Sequence, residues 1–135
     1  MPTKLAPSQL SSILFVDDDV EDLKLWADSL RELRKYRVLT AMSASEGVER
    51  CKANQIDCVV LDLDLDRESG FELLLELWQN SERPRVPVGI LTKLSSPSLR
   101  DLGLHNGASF WLTKARTSAA DLDHAIQQAI TASMK

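Results

Sequence analysis

Six aspartates fall into two clusters, each at the end of an apolar run. Asp17-Asp18-Asp19 follow Ile13-Leu14-Phe15-Val16, and Asp62 follows Val59-Val60-Leu61, with Asp64 and Asp66 close behind. Carboxylates packed together repel, and their charge has to be neutralised by protons or a cation. An all-oxygen cluster beside open solvent suits Mg²⁺, which keeps several waters and takes only one or two carboxylates. Two further apolar runs end in groups suited to a phosphate. Val88-Gly89-Ile90-Leu91 ends at Thr92, a hydroxyl donor, and Trp111-Leu112-Thr113 ends at Lys114, a mobile positive charge. Together these groups describe a site that neutralises a phosphoryl group. Taken singly, each aspartate is better read as a cap, and each Thr or Lys as a surface residue. The chemistry depends on their sharing one rim.

The elements that would bring them together are legible. The apolar runs Ile13–Val16, Val38-Leu39 within Tyr36–Ala41, Cys58–Leu61, Val86–Leu91 and Phe110–Leu112 are short and mostly β-branched or aromatic, as strands buried on both faces are. Helical spacing joins Val20, Leu23, Ala27 and Leu30, and again Leu122, Ile126, Ala129 and Ile130. Ser43-Ala44-Ser45-Glu46 and Ser118-Ala119-Ala120-Asp121 read as capping boxes, Ser96-Pro97 as a helix start, and Gly107 as a helix C-terminal glycine. The order is β-α repeated five times. That predicts an α/β fold: a doubly wound, five-stranded parallel sheet with right-handed crossovers and helices on both faces. In such a sheet the C-terminal strand ends share one edge. If the first and third strands are neighbours at the switch point, both acidic clusters line a crevice there.

At 135 residues the chain is expected to form one domain. Residues 1–11, polar and with two prolines, read as a flexible leader, and 12–135 as the domain. Sixteen Lys and Arg against 20 Asp and Glu give a formal charge of −4, without the clustered positive charge of a nucleic-acid binder. No apolar stretch approaches the roughly 20 residues that span a bilayer, and the N-terminus lacks a secretion signal's apolar core. The expectation is a cytoplasmic protein with no direct nucleic-acid or membrane partner. Cys51 and Cys58 are wrongly spaced for zinc or a redox pair and read as packed free thiols. His105 and His124 lack metal-ligand spacing and read as surface residues, and Phe71–Trp78 as a helix generously buried against the sheet.

The chain resembles a response regulator receiver domain, the phosphoacceptor half of two-component signalling. The resemblance rests on Ile13–Asp18, Val60-Leu61-Asp62 with Gly70 eight residues on, Ile90-Leu91-Thr92, and Lys114, and covers roughly residues 12 to 133. The spacings agree too: 45 residues from Asp17 to Asp62, 30 to Thr92 and 22 to Lys114. The resemblance implies a flavodoxin-like fold with strand order 2-1-3-4-5. By the same resemblance Asp62 accepts a phosphoryl group from a phosphohistidine on a histidine kinase or phosphotransfer protein. Asp18 and Asp62 would ligate Mg²⁺, Asp17 would hold the metal or its water, and the Asp64 main-chain carbonyl would add a ligand. Lys114 would pair with Asp62 and then with the phosphoryl oxygens. Thr92 would swing toward the phosphoryl group, and Trp111 would turn inward after it, repacking the surface of the fourth helix, fifth strand and fifth helix. That surface would serve a downstream target, a separate output domain or a homodimer.

Three departures from the family pattern stand out. Lys93 replaces the usual small residue after the threonine, and a long cation there is expected to alter phosphoryl lifetime. Ala115 follows Lys114 where the family commonly has proline after a cis peptide bond; a cis Lys-Ala bond costs about 2.5–4 kcal/mol, so this loop is expected to be trans and rearranged, or strained. Leu94 stands where many members carry a polar residue and is expected to shield the acyl phosphate from water. Two rival readings remain. Val60-Leu61-Asp62-Leu63-Asp64 resembles the nucleophile motif of haloacid-dehalogenase-type phosphatases, with Asp62 as nucleophile and Asp64 as acid/base, although Asp17-Asp18 precede it in the wrong order. The other is a receiver-like adaptor that works without phosphorylation. The fifth helix runs close to Lys135, and a stand-alone form is the expectation.

Overall fold

The computed structural model describes residues 10–63, 86–105 and 107–134. Its strands are β1 (Ser11–Val16), β2 (Tyr36–Ala41), β3 (Cys58–Leu61), β4 (Val88–Thr92) and β5 (Phe110–Thr113). Its helices are α1 (Val20–Arg31), α2 (Ala44–Ala53), α3 (Pro97–His105) and α4 (Ala119–Ser133), the last two being the predicted fourth and fifth helices. The expected helix over Phe71–Trp78 lies outside the described residues. All pairings are parallel and the sheet order is β2-β1-β3-β4-β5, as the resemblance implies.

Strand alternation divides the core in two. Leu14, Val16, Val59, Leu61, Val88, Ile90 and Trp111 form one layer, together with Ala44 and Val48 of α2. Ile13, Phe15, Cys58, Val60 and Leu91 face Leu23 and Leu30 of α1 and Leu122 and Ile126 of α4. Because side chains alternate with a period of two, a one-residue slip of β1 or β3 would drive its side chains to the wrong layer, so the register is firmly set. Val16 is consequently held opposite Leu61.

Local chemistry fixes the helix ends. Asp19, Ser43 and Ser118 accept from the backbone N–H groups of Asp22, Glu46 and Asp121, and the Ser118–Asp121 capping box is reciprocal. The Ser96 hydroxyl accepts from the Leu99 N–H at 3.4 Å. Gly107 has φ 104° after α3, the left-handed conformation a helix-terminating glycine supplies. Two expectations shift. Val20, the first residue of α1, is 58% exposed, and the buried face of that helix is Leu23, Ala27 and Leu30. β2 is an edge strand and only partly buried; Arg31 and Arg50 donate to the carbonyls of Val38 and Thr40 along it, which blunts the edge against pairing with another chain.

Gly89 is required by close approach. It lies opposite Phe110, and a Cβ there would sit 1.9 Å from Phe110 Cζ, inside the ring. Gly89→Ala is expected to lower stability by about 1–3 kcal/mol in urea denaturation, with much of the loss recovered when Phe110→Leu is added; equal stability of Gly89→Ala and wild type would contradict this packing.

Candidate functional site

Asp17 and Asp62 stand one residue beyond the paired Val16 and Leu61, at the C-terminal tips of neighbouring central strands. The ladder continues into both: the Asp17 N–H donates to Ala41 O at 3.0 Å and the Asp62 N–H to Val16 O at 2.9 Å. Both residues are buried, which takes two carboxylates out of water side by side. Lys114, just past β5, reaches back across β4 to meet them. Strands lie about 4.8 Å apart, so β5 is roughly 10 Å from β3, a gap the four-carbon lysine stem helps to span.

The Lys114 ammonium is the hub. Nζ donates to Asp17 Oδ2 at 2.6 Å, to Asp62 Oδ2 at 2.9 Å and to Asp22 Oδ2 at 2.9 Å. Only 7% of the side chain is exposed for each of Lys114, Asp17 and Asp62. Burial alone would lower the Lys114 pKa, but hydrogen bonds to its three carboxylate partners outweigh it and hold the amine above the ordinary lysine value. Burial pushes the Asp17 carboxyl up, and its bonds to Lys114 and to the Asp19 N–H only partly oppose this. Asp22, nearer solvent, is lowered by its hydrogen bond to Lys114. Three carboxylates on one ammonium leave a surplus of negative charge.

The Lys114-Ala115 bond is trans, and no described peptide is cis. Lys114–Arg116 instead form one turn of 3₁₀ helix, and the Thr117 hydroxyl donates back to Thr113 O at 2.8 Å. Of the alternatives that Ala115 left open, the loop takes the rearranged trans form, and Lys114 still arrives on Asp62.

Thr92 is fully buried, and its Oγ1 accepts from the Leu94 N–H at 3.3 Å. Leu94 is partly buried and packs against the core layer that holds Ile90 and Trp111. Trp111 is already inside, 9% exposed. It pairs with Ile90 while Thr92 pairs with Thr113, so Thr92 and Trp111 are diagonal neighbours on one face of the sheet. Lys93 is exposed, with Nζ 3.7 Å from Asp19 Oδ2 and 3.4 Å from Asp22 Oδ2. Asp18 is half-buried beside Asp17. Asp64 lies outside the described residues.

Asp22 is the residue the sequence reading missed. It sits in the first turn of α1, and its carboxylate bonds both lysines. The one signal in the sequence is that Asp22 follows the Asp17-Asp18-Asp19 cluster within the first turn of the predicted helix, but nothing in residue type or spacing points it at a lysine. His105 and His124 are exposed, while Cys58 is buried and Cys51 half-buried, both as free thiols. Burial raises Cys51 to about 11 and Cys58 to about 12, so neither is a ready thiolate.

The donor set of Asp17, Asp18 and Asp62 is hard and all-oxygen, which fits a cation such as Mg²⁺. Among the described residues no three acidic, His or Cys side chains already surround a common metal position; the point of convergence belongs to the Lys114 ammonium. Carboxylates arranged to accept a cation, a buried hydroxyl and an ammonium on one rim are equipped to take up and stabilise a phosphoryl group.

Comparison with known proteins agrees. The family model of the response regulator receiver domain matches residues 13–127. The two-component response regulator ORR3 of Oryza sativa subsp. indica is 29% identical over 115 residues, covering 84% of this chain and 87% of that one. The hybrid signal transduction histidine kinase D of Dictyostelium discoideum is 31% identical over 106 residues, covering 78% of this chain, which spans only 7% of the kinase's length. Among solved structures, a response regulator receiver domain protein from Clostridium thermocellum superposes with a TM-score of 0.81 at 32% identity, over 93% of this chain and 98% of that one.

The surplus charge yields a prediction. A carboxyl raised in the folded state costs stability when ionised, and that cost vanishes once pH falls below its unfolded value. In metal-free buffer Asp17→Asn is expected to raise the melting temperature at pH 7 by a few degrees, with the gain fading on acidification toward pH 4. A lower melting temperature at pH 7 would contradict it.

Proposed function

The chain belongs to the response regulator receiver domain family, and from that premise we propose that its switching chemistry runs through Asp62. Members are phosphorylation-accepting signalling domains rather than conventional enzymes, and they work with a histidine kinase or phosphotransfer protein. In this chain an Asp62 carboxylate oxygen attacks the phosphorus of a phosphohistidine in line. The P–O bond forms as the P–N bond breaks, the imidazole nitrogen leaves with the bonding electrons and takes a proton from solvent, and Asp62 becomes an acyl phosphate. The observation that carries this is the seating of Asp62: buried at the tip of β3, beside Asp17, with the Lys114 ammonium 2.9 Å from its Oδ2.

The remaining residues follow from their places. Asp17, Asp18 and Asp62 would hold Mg²⁺, with the Asp64 carbonyl as a further ligand; when bound, the ion neutralises charge on the phosphoryl oxygens. Lys114 follows those oxygens from Asp62. Thr92 exchanges its Leu94 N–H contact for the phosphoryl group, and Trp111, its diagonal neighbour, transmits the change to the face formed by α3, β5 and α4. That face then receives a downstream protein, an output domain or a second copy. Lys93 and Leu94 flank the site and set how long the phosphoryl group survives. The free Cys51 and Cys58 thiols suit the reducing cytoplasm. No helix among the described residues is long and apolar enough to cross a membrane. The receiver match favours this reading over the phosphatase alternative, and the presence of Asp17, Asp62, Thr92 and Lys114 together favours it over an adaptor that works without phosphorylation.

Incubation with acetyl phosphate and Mg²⁺ is expected to add one phosphoryl group, and borohydride reduction to leave homoserine at residue 62. Chelation of the metal and Asp62→Asn are each expected to abolish the label; a label that persists in Asp62→Asn would overturn the assignment. Lys93→Ala is expected to change the decay rate of the phosphorylated protein by at least about twofold, since it removes a cation paired at the site's edge. An unchanged rate would remove Lys93 from the account.

A further inference from the structure

Asp22 lies outside the motif residues that identify the family, yet it is built into the site. Its Oδ2 receives Lys114 at 2.9 Å and Lys93 at 3.4 Å. One oxygen atom therefore joins three separate pieces of chain: the first turn of α1, the residue after β5, and the loop between β4 and α3. The carboxylate is not spent on capping, because the cap of α1 is the Asp19 side chain, which accepts from the Asp22 backbone N–H at 3.1 Å. Asp22 is only partly exposed, with 22% of its side chain accessible, so its geometry is set by the two lysines and the helix.

We propose that Asp22 is a positioning residue of the phosphoacceptor site, holding Lys114 over Asp62 and anchoring the Thr92 loop through Lys93. It rests on the reading of Asp62 as acceptor only for its consequence in signalling. Two effects follow from the shared oxygen. Asp22 supplies one of three walls around the Lys114 ammonium, and so encloses it in its place beside Asp17 and Asp62. On the other side, Lys93 immediately follows Thr92, whose Oγ1 is engaged by the Leu94 N–H. A shift of that loop away from its present position lengthens the Lys93 pairs to Asp22 and Asp19. The anchor therefore favours the arrangement in which Thr92 is bonded within its own loop, and it opposes the release of Thr92 toward the acceptor. The pairs are partly solvent-screened, which limits this bias to about two- to fivefold in the loop equilibrium.

The test uses the unphosphorylated, metal-free protein. In nitrogen–proton correlation spectra the enclosed Lys114 ammonium is expected to be protected from exchange with water. Its signal should be lost in Asp22→Asn and kept in Lys93→Met. Hydrogen exchange at the Leu94 amide is expected to quicken about two- to fivefold in Lys93→Met and in Asp22→Asn, with the double variant no faster than the faster single one, because both break one shared link. A purely structural role for Asp22 would instead speed exchange throughout α1 and leave the Lys93 effect intact in the Asp22→Asn background. A retained ammonium signal in Asp22→Asn, unchanged Leu94 exchange in Lys93→Met, or multiplied effects in the double variant would each overturn the proposal. None of these readouts requires phosphorylation, so a wild-type chain that fails to label at Asp62 would refute that assignment separately.

Discussion

A single ammonium shared among carboxylates from different parts of the chain is the constraint on which this molecule turns. Burying Asp17 and Asp62 side by side is unfavourable for both, through lost hydration and mutual repulsion. Lys114 makes the arrangement tolerable without fully balancing it. On the proposed reading the residue of negative charge is useful, since it would leave the pocket ready for a further cation and, with that cation, for a phosphoryl group. A site neutralised completely by its own lysines would have less reason to bind either.

The fold's task is to hold this unfavourable grouping in place. Two hydrophobic layers lock the registers of β1 and β3, so the residues following Val16 and Leu61 must emerge together. Lys114 comes from two strands farther along and is aimed by the turn that follows it. Here the chain departs from its family's usual pattern at Ala115. A trans 3₁₀ turn, closed by the Thr117 hydroxyl on Thr113 O, delivers the ammonium to the same carboxylates. The same end can therefore be reached by a different backbone route.

Much of this could be read before any coordinates. The strands were legible because their apolar runs are short, continuous and bounded by acids, Thr or Lys, and the caps at Ser43, Ser96 and Ser118 because hydroxyls precede helical periodicity. Asp17, Asp62, Thr92 and Lys114 were legible because each ends a buried run. Other features depend on three-dimensional approach and leave little trace in a linear pattern. The pairing of Gly89 with the Phe110 ring needs the β4–β5 register. The edge status of β2 needs the strand order. Asp22 needs two lysines, 71 and 92 residues away in sequence, to fold onto one oxygen. Lys93 was recognised as unusual from its neighbour Thr92, but its direction toward α1 was not deducible from residue type.

Anomalous scattering from crystals soaked in Mn²⁺, a hard divalent ion that shares the oxygen preference of Mg²⁺, tests the central claim most directly. One dominant peak in contact with the Asp18 and Asp62 carboxylates, with the Lys114 amine still beside Asp62, is the result this account predicts. A pocket that stays empty while the ion binds elsewhere, or a Lys114 amine turned out to solvent, would contradict it.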